Sequence, residues 1–540
     1  MNEVEQRYSN TLKSTQSRAQ VMRSVLIKPI SHSNAIARND AILKAAENEP
    51  LFSAMGEHRD GILLSATNAI IEYAKEHNGL YPTDDMLASA HEQWENLYES
   101  NDAIAAASKS NLLLSSVSEA TLSSEQGVAI RATTAALTLP TILSNPMNAV
   151  CTYLPSRKYG TEVFNIDRHA GATLGDYKKG DKIDALSVGQ YSRQRQAYDF
   201  TSAQQPNGTK KNYIFTAKTD TPAKIDTPLR NGSIVIRLNQ RIVARQTESG
   251  DIYGKAHIGE TAYTFTGTAE LEKGAISIET NAPLPTDTKL RAQYEIQIEG
   301  HPEMIPTVTH KMTSFKIYPH ARVLSSDTSA MANFAMNVEF GVDMYSLNLS
   351  SIRDEMVNEK AKYQLWDLMQ EATETALFNA QVPDSETWKD RFEYFLFTLI
   401  KIDTQMKKLN KESGVKAVYA GTNFSAFLQS MPPSIFQRSP TSETTPRIHK
   451  IGTLLNRIEL FEVPMGGLVP TDQALFCGRT EKIGKAPYLT GDVIPPTIFK
   501  SDSEKGLVQS QTIWAQGYDE TAPDCWKYLV KVILQNFTLS

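Results

Sequence analysis

The sequence predicts an α+β fold of several domains, and three observations carry that expectation. Apolar residues recur at helical spacing through roughly the first 125 residues, and the spacing falls to about two between Asn212 and Glu299. A long helical period then returns from Leu349 to Ala376. At 540 residues the chain exceeds one ordinary core, so roughly two to four domains are expected. Its 41% hydrophobic and 21% charged residues suit packed cores and speak against a disordered chain. Lys and Arg total 55 against 61 Asp and Glu, a formal charge of -6. A protein that wraps nucleic acid directly carries a basic surplus, and this chain has none overall.

At the N-terminal end, Val4, Tyr8, Leu12, Ala19, Met22 and Val25 share a helical period, as do Leu63, Leu64, Ile70, Ile71 and Ala74. Thr83 after Pro82 is placed to cap a helix whose first turn holds Asp84 and Asp85, with Met86, Leu87, Ala90, Trp94 and Leu97 on one face. These apolar stripes must bury against each other or against a neighbouring chain. A further helix, Val128 to Leu137, is expected to stop at Pro140. Tyr159 to Ile166 then alternates like a strand, and Gly171, Gly175 and Gly180 punctuate a polar segment with Asp176, Tyr177, Lys178, Lys179 and Asp181. That pattern predicts an extended two-stranded arm with a charged, glycine-rich tip.

Between Asn212 and Glu299, strands are predicted around Ile234–Leu238, Tyr263–Phe265, Ile276–Ile278 and Tyr294–Ile298. Turn residues such as Asn231-Gly232 and Lys273-Gly274 separate them, as in an inserted antiparallel β domain. Leu349, Ile352, Met356, Tyr363, Leu368, Ala372 and Ala376 predict a helix of roughly thirty residues, about 45 Å long, closed by Pro383. Trp388, Phe392, Phe395, Leu399, Ile402 and Met406 predict a second. Val415–Tyr419, Arg457–Val463, Ala474–Cys477, Thr512–Trp514 and Tyr528–Leu534 read as strands, and Asn423 as the cap of a short helix, Phe424–Gln429.

Motifs that would carry chemistry fail on spacing. Gly478 to Lys485 resembles a phosphate loop, but Arg479 stands where its first glycine is needed and Ala486 where magnesium requires a hydroxyl, so a surface turn is expected. His301-Pro302-Glu303 is not followed by the cysteine pair of a zinc deaminase. Neither a metalloprotease helix motif nor a G-x-S-x-G elbow occurs. His169, His310 and His449 read as solvated or structurally bonded histidines. Asp354 and Glu355 point to different sides of a helix, and with Arg353 they suit solubility or an inter-subunit ion pair. Trp366, Met369 and Phe378 are expected in the core. Cys151, Cys477 and Cys525 are scattered and odd in number, which predicts buried, reduced thiols. The acidic, polar start Met1 to Gln6 lacks the pattern of a secretory leader, and no run approaches the ~18 apolar residues of a membrane span, so a cytoplasmic product is expected. No catalytic residue, cofactor or metal is expected.

The order of elements carries a family resemblance. Ser314-Phe315-Lys316-Ile317-Tyr318-Pro319 leads toward Leu324, and Val338 to Ala376 follows as a long helix. Lys416 to Leu428, Ile451 to Pro464 and Ala474 to Arg479 come next. Ala486-Pro487-Tyr488-Leu489-Thr490-Gly491-Asp492-Val493-Ile494-Pro495-Pro496 and then Gln511 to Tyr518 close the series. In this order the segments resemble the tailed-phage major capsid proteins of the Hong Kong 97 fold, most strongly from Lys311 to Leu534. No single segment is a specific signature; their sequence is what resembles the family. The region before Gly127 and the β insertion depart from the minimal fold.

The resemblance implies an N-terminal helical arm over residues 1–126, then the extended β arm and the start of a peripheral domain over 127–205. The inserted β domain takes 206–312 and the peripheral domain with its spine helix 313–385. An axial domain over 386–500 and returning C-terminal strands over 501–540 complete it. It also implies function: copies forming hexamers and pentamers of an icosahedral shell around double-stranded DNA, without sequence-specific binding and without a membrane. Scaffold, portal and decoration proteins are the further partners implied, and the virion capsid, assembled in the bacterial host cytoplasm, is the implied location. Asp176, Tyr177, Lys178, Lys179 and Asp181 would then form an inter-subunit arm tip. Some relatives crosslink through Lys and Asn; Lys178 and Lys179 match no identified partner, so exposed lysines are expected instead. Two alternatives stand beside this reading: an encapsulin-type compartment shell, and a protein whose β domain binds carbohydrate or a host surface.

Overall fold

Helical spacing near the N-terminus is realised as α1 (Glu3–Met22), α2 (Ala35–Ala46), α3 (Arg59–Glu76), α4 (Asp84–Tyr98) and α5 (Glu125–Leu143). The structure is a computed structural model. It describes residues 3–32, 34–77, 79–98, 125–154, 160–183, 187–258, 260–341, 344–439, 445–480, 485–502 and 508–537. Tyr159, most of the expected loop from Ser439 to Pro446, and the middle of the Gly478 to Lys485 turn lie outside the described residues. The chain divides into two compact units, Met1–Asn165 with Ser314–Ser540, and Ile166–Thr313.

In the first unit, Met22, Leu26, Phe52, Leu63, Ile70, Leu87, Trp94 and Leu139 share one helical core, so these stripes bury largely against each other. Pro140 does not end α5 but lies inside it. A proline there leaves the carbonyl of Ala136, four residues earlier, without its helical donor. The Ser65 hydroxyl of α3 donates to that carbonyl at 3.1 Å. The Trp94 indole N–H of α4 donates to the next carbonyl back, Ala135, at 2.9 Å. The expected cap of α4 is also corrected: the Thr83 carbonyl accepts the first helical bond from Leu87 N–H, yet its hydroxyl has no partner. Asp84 and Asp85 do occupy the first turn.

Two sheets follow in the same unit. The smaller has the order Cys151–Tyr153, Tyr488–Asp502, Val508–Thr521, His320–Ser329. The larger has seven strands, ordered Glu374–Asn379, Leu529–Gln535, Gln473–Gly478, Val415–Gly421, Ile458–Val463, His449–Leu454, Phe436–Arg438. Helices α6 (Ala330–Phe340) and α7 (Met344–Glu371) come before the larger sheet's first strand. Along α7, Ile352 and Met356 pack with Ile513 and Ala515 of the smaller sheet. Further on, Ala361, Leu365, Leu368 and Met369 join Tyr419, Phe461 and Leu475 of the larger one. The helix ends at Glu371, earlier than expected, and Ala376 lies on the strand Glu374–Asn379, parallel to Leu529–Gln535. Ala376 and Phe378 face the core there while Thr375 and Leu377 are exposed, a period of two that the helical reading absorbed.

Helix α8 (Trp388–Asn410) starts with a capping box, in which the Thr387 side chain and Asp390 satisfy each other's backbone N–H groups. It covers the larger sheet with α9 (Thr422–Gln429) through Phe395, Leu399, Phe424 and Phe427. Gly421, not Asn423, holds the N-cap position of α9; the Asn423 amide donates to the Thr471 hydroxyl instead.

The second unit is built on an antiparallel sheet with the order Arg195–Asp199, Leu290–Glu295, Val235–Leu238, Arg241–Gln246, Ile252–Ile258, Thr261–Glu270, Ala275–Thr280, Asn212–Thr216. Tyr213, Phe215, Ile236, Phe265, Ile276, Ile278 and Tyr294 fill its core. Its boundary differs from 206–312, because Arg195–Asp199 pairs with Leu290–Glu295, and Leu174, Tyr191 and Tyr198 enter the same core. Arg241–Gln246 was not among the strands legible in the sequence. A bulge between Ile236 and Arg237 shifts the pairing, and on this strand the adjacent Val243 and Ala244 are both buried, which breaks the alternation. The chain passes between the units on Thr161–Ala170 and Val308–Ile317, which pair with each other.

Candidate assembly surface

A buried charge cluster fixes α7 to the smaller sheet. Asp492 sits on Tyr488–Asp502 and is 5% exposed. It accepts from the Arg322 guanidinium at 2.8 Å and from the Lys360 ammonium of α7 at 3.1 Å. Asp519 takes the other arm of Arg322 at 3.1 Å, the Gln364 amide at 2.8 Å and the Thr490 hydroxyl at 2.9 Å. Burial alone would raise the Asp492 carboxyl, but the Lys360 and Arg322 charges outweigh it and hold it below the usual carboxylate range. Glycine at 517 leaves room for this carboxylate: a Cβ there would stand 2.4 Å from Asp492 Oδ1.

A second buried pair ties the helical layer to the rest of the unit. Arg479 meets Asp85 of α4 at 3.1 Å and donates to the Asn148 carbonyl at 2.6 Å. Asp85 also accepts from Tyr153 N–H at 2.9 Å. The residue that breaks the phosphate-loop spacing is therefore an internal anchor. Asp354, on α7, pairs with its neighbour Arg353 at 3.0 Å and with Arg447 at 3.5 Å, and Glu355 pairs with Lys362 at 3.3 Å, all within one chain.

On this fixed frame, two helices present apolar side chains to solvent. In α6, Met331, Phe334 and Val338 recur at i, i+3 and i+7, and Phe334 is 71% exposed. In α8, Tyr394, Phe397 and Ile400 form an outward stripe with Phe397 64% exposed, while Phe395, Leu399, Ile402 and Met406 face the core. An amphipathic surface helix keeps its outer face polar, so apolar stripes of this kind mark contact surfaces. Trp366, expected in the core with Met369 and Phe378, lies instead on the outer side of α7, half exposed; Met369 and Phe378 are buried. The helical period that placed Trp366 on the apolar face does not say on which side of α7 the sheets lie. Trp388, read on the inner face of α8, is likewise half exposed. The α6 stripe was missed. Its signal was Met331, Phe334 and Val338 at helical spacing, in a segment whose one charged residue is Glu339.

The five arm-tip residues lie together in a turn of the second unit. The Lys178 N–H donates to the Asp181 carboxylate at 2.7 Å, and Lys179 N–H to the Thr173 hydroxyl at 3.0 Å. The Asp176 carboxylate accepts from Gln190 N–H. Tyr177 packs edge-on against Tyr191 and onto the β core, whereas Lys178, Lys179 and Asp181 are exposed. The three cysteines are buried free thiols, and burial beside Glu371 pushes the Cys525 thiol up to about 12. Among the described residues no helix is long and apolar enough to cross a membrane, and no group of three or more His, Cys, Asp or Glu is placed to hold a metal ion.

Against known proteins, residues 3–145 match the model of a domain of unknown function, DUF8615, a span that coincides with the helical layer α1 to α5. Protein IncB of Escherichia coli is 25% identical over 139 residues, which is 26% of this chain; the chain spans 66% of that relative's length. Among solved structures, the capsid of jumbo bacteriophage PhiKZ is similar at 9% identity and TM-score 0.32, over 71% of this chain and 91% of that one. The capsid of Myoviridae phage XM1 is similar at 9% identity and TM-score 0.29, over 57% and 89%. The head of Helicobacter pylori bacteriophage KHP40 follows at 9% identity and TM-score 0.30, over 42% and 77%. All three are bacteriophage capsids or heads. Superpositions this loose assign no residue a role.

Proposed function

We propose that this chain is a structural shell subunit, the major capsid protein of a tailed phage, and not an enzyme. The observation that carries the reading is the pair of outward apolar stripes on α6 and α8, in a chain whose own cores are already filled. Such stripes become stable surfaces when neighbours cover them, and repetition turns modest contacts into a durable particle. The element order that resembles the Hong Kong 97 family supports the finer form: hexamers and pentamers tiling an icosahedral shell around double-stranded DNA. A net charge of -6 suits enclosure without tight adhesion to the packaged polyanion. In this reading the exposed Lys178, Lys179 and Asp181, with Asp176 and Tyr177 shaping their turn, contact a neighbouring subunit, and scaffold and portal proteins are further partners.

Purified protein, alone and with a scaffold partner, is to be sized and viewed by negative-stain electron microscopy. Megadalton shells, tubes or capsomers are expected. A monomer under every condition would overturn the proposal.

A further inference from the structure

The two solvent-facing stripes differ in composition, and charged residues of opposite sign stand at their C-terminal ends: Glu339 flanks the α6 stripe, about 100° round the helix from Val338, and Lys401 shares the α8 face with Phe397 at i+4. In α6, Glu339 follows Val338, the last residue of its stripe, and the helix contains no basic residue. In α8, Lys401 follows Ile400, the last residue of its stripe, and Glu393 precedes Tyr394, the first. Glu339, Lys401 and Glu393 are all exposed. The stripes are also similar in length: Met331 to Val338 spans about 10 Å and Tyr394 to Ile400 about 9 Å at helical rise.

We infer that the α6 stripe of one copy packs, parallel in direction, on the α8 stripe of a second copy. This rests on the shell-subunit reading and names the contact that it requires. A parallel crossing sets Glu339 against Lys401 at the C-terminal ends of both stripes. An antiparallel crossing would set Glu339 against Glu393, like charge against like. A contact of α6 with another α6 would bring two Glu339-bearing faces together and leave every α8 stripe uncovered. The heterologous contact covers both stripes at once. Because each copy then offers one face and receives another, the contact repeats from subunit to subunit, as the rings and tubes of a shell protein require.

The test uses the full-length chain and follows assembly by sedimentation velocity and electron microscopy. Glu339→Lys and Lys401→Glu should each raise the concentration needed for assembly by about tenfold, and the double variant should recover most of that loss. Both positions are exposed, so thermal unfolding of the dissociated chains should match wild type. Phe334→Asp and Phe397→Asp should each abolish assembly alone, because every contact then contains one altered face. Mixed in equal amounts they should form dimers that grow no further, each joined through its one intact pair. Wild-type shells with single charge reversals that assemble normally, or a double variant no better than the singles, would overturn this contact and leave the shell reading standing. So would normal assembly of Phe397→Asp, the outcome expected of an α6-to-α6 contact. Wild-type protein that never assembles would overturn both.

Discussion

At the scale of single residues, two exceptions to an apolar interior and a polar surface matter most: a few charges lie deeply buried in ion pairs, and a few large apolar groups face solvent. Asp492 is held by Arg322 and Lys360, so replacing it with Asn leaves two cations short of an anion in a largely buried site. Asp492→Asn should lower the stability of the dissociated chain by about 3 kcal/mol in urea unfolding, since removing one partner of a buried pair costs more than the pair gains. The folded carboxyl lies below its unfolded value of about 3.9. Its contribution is therefore fully present above that value and lost as pH falls through the lowered folded one. Wild type should lose stability below about pH 4, and the variant should lack that part of the acid response; an unchanged acid limb in the variant would contradict the assignment. The two tryptophans Trp94 and Trp366 make the opposite contrast. Trp94 is fully buried with its N–H bonded, so Trp94→Ala should cost about 3–5 kcal/mol. Trp366 is half exposed, so Trp366→Ala should cost the dissociated chain clearly less, about 1–2 kcal/mol. Helical spacing showed both on apolar faces; only the position of the packing partners separates them.

At the scale of elements, the points of disagreement share a cause. Pro140 stays inside α5 because Ser65, 71 positions before Ala136, satisfies the Ala136 carbonyl that the proline leaves free. Ser65→Ala should cost about 1 kcal/mol, measured by denaturant unfolding, and fray the last turn of α5 as seen by faster amide exchange there. If exchange and stability are unchanged, the rescue of Pro140 has another source. The sequence extends the long helix through Ala376 because Ala372 and Ala376 fit a period near four as well as a period of two. The strand forms because Leu529–Gln535 offers an edge to it, and that partner lies some 150 residues on. Helices with strong, uncontested periods, such as α4 and α8, were legible from their own residues.

At the scale of the whole molecule, the second unit carries its own core of Tyr213, Phe215, Phe265, Ile276 and Tyr294 within 166–313. A fragment of residues 166–313 should therefore fold alone and melt in one cooperative step by circular dichroism; a gradual, featureless melt would show that it needs the rest of the chain. The arm-tip residues were legible as a glycine-punctuated polar turn, because glycine and aspartate act on their own backbone neighbourhood. That Tyr177 turns inward while Lys178 and Lys179 face solvent was not, since the choice depends on Tyr191 and on strands far along the chain. By itself, the sequence determined the α+β class, the helical N-terminal layer, the β-rich middle and the long helix, all of which rest on periods that a chain carries locally. Tertiary structure alone decided where the second unit begins, which carboxylates are buried in ion pairs, and that α6 and α8 show apolar stripes to solvent. Burial is a property of what stands opposite a residue, and no stretch of sequence contains its own partner.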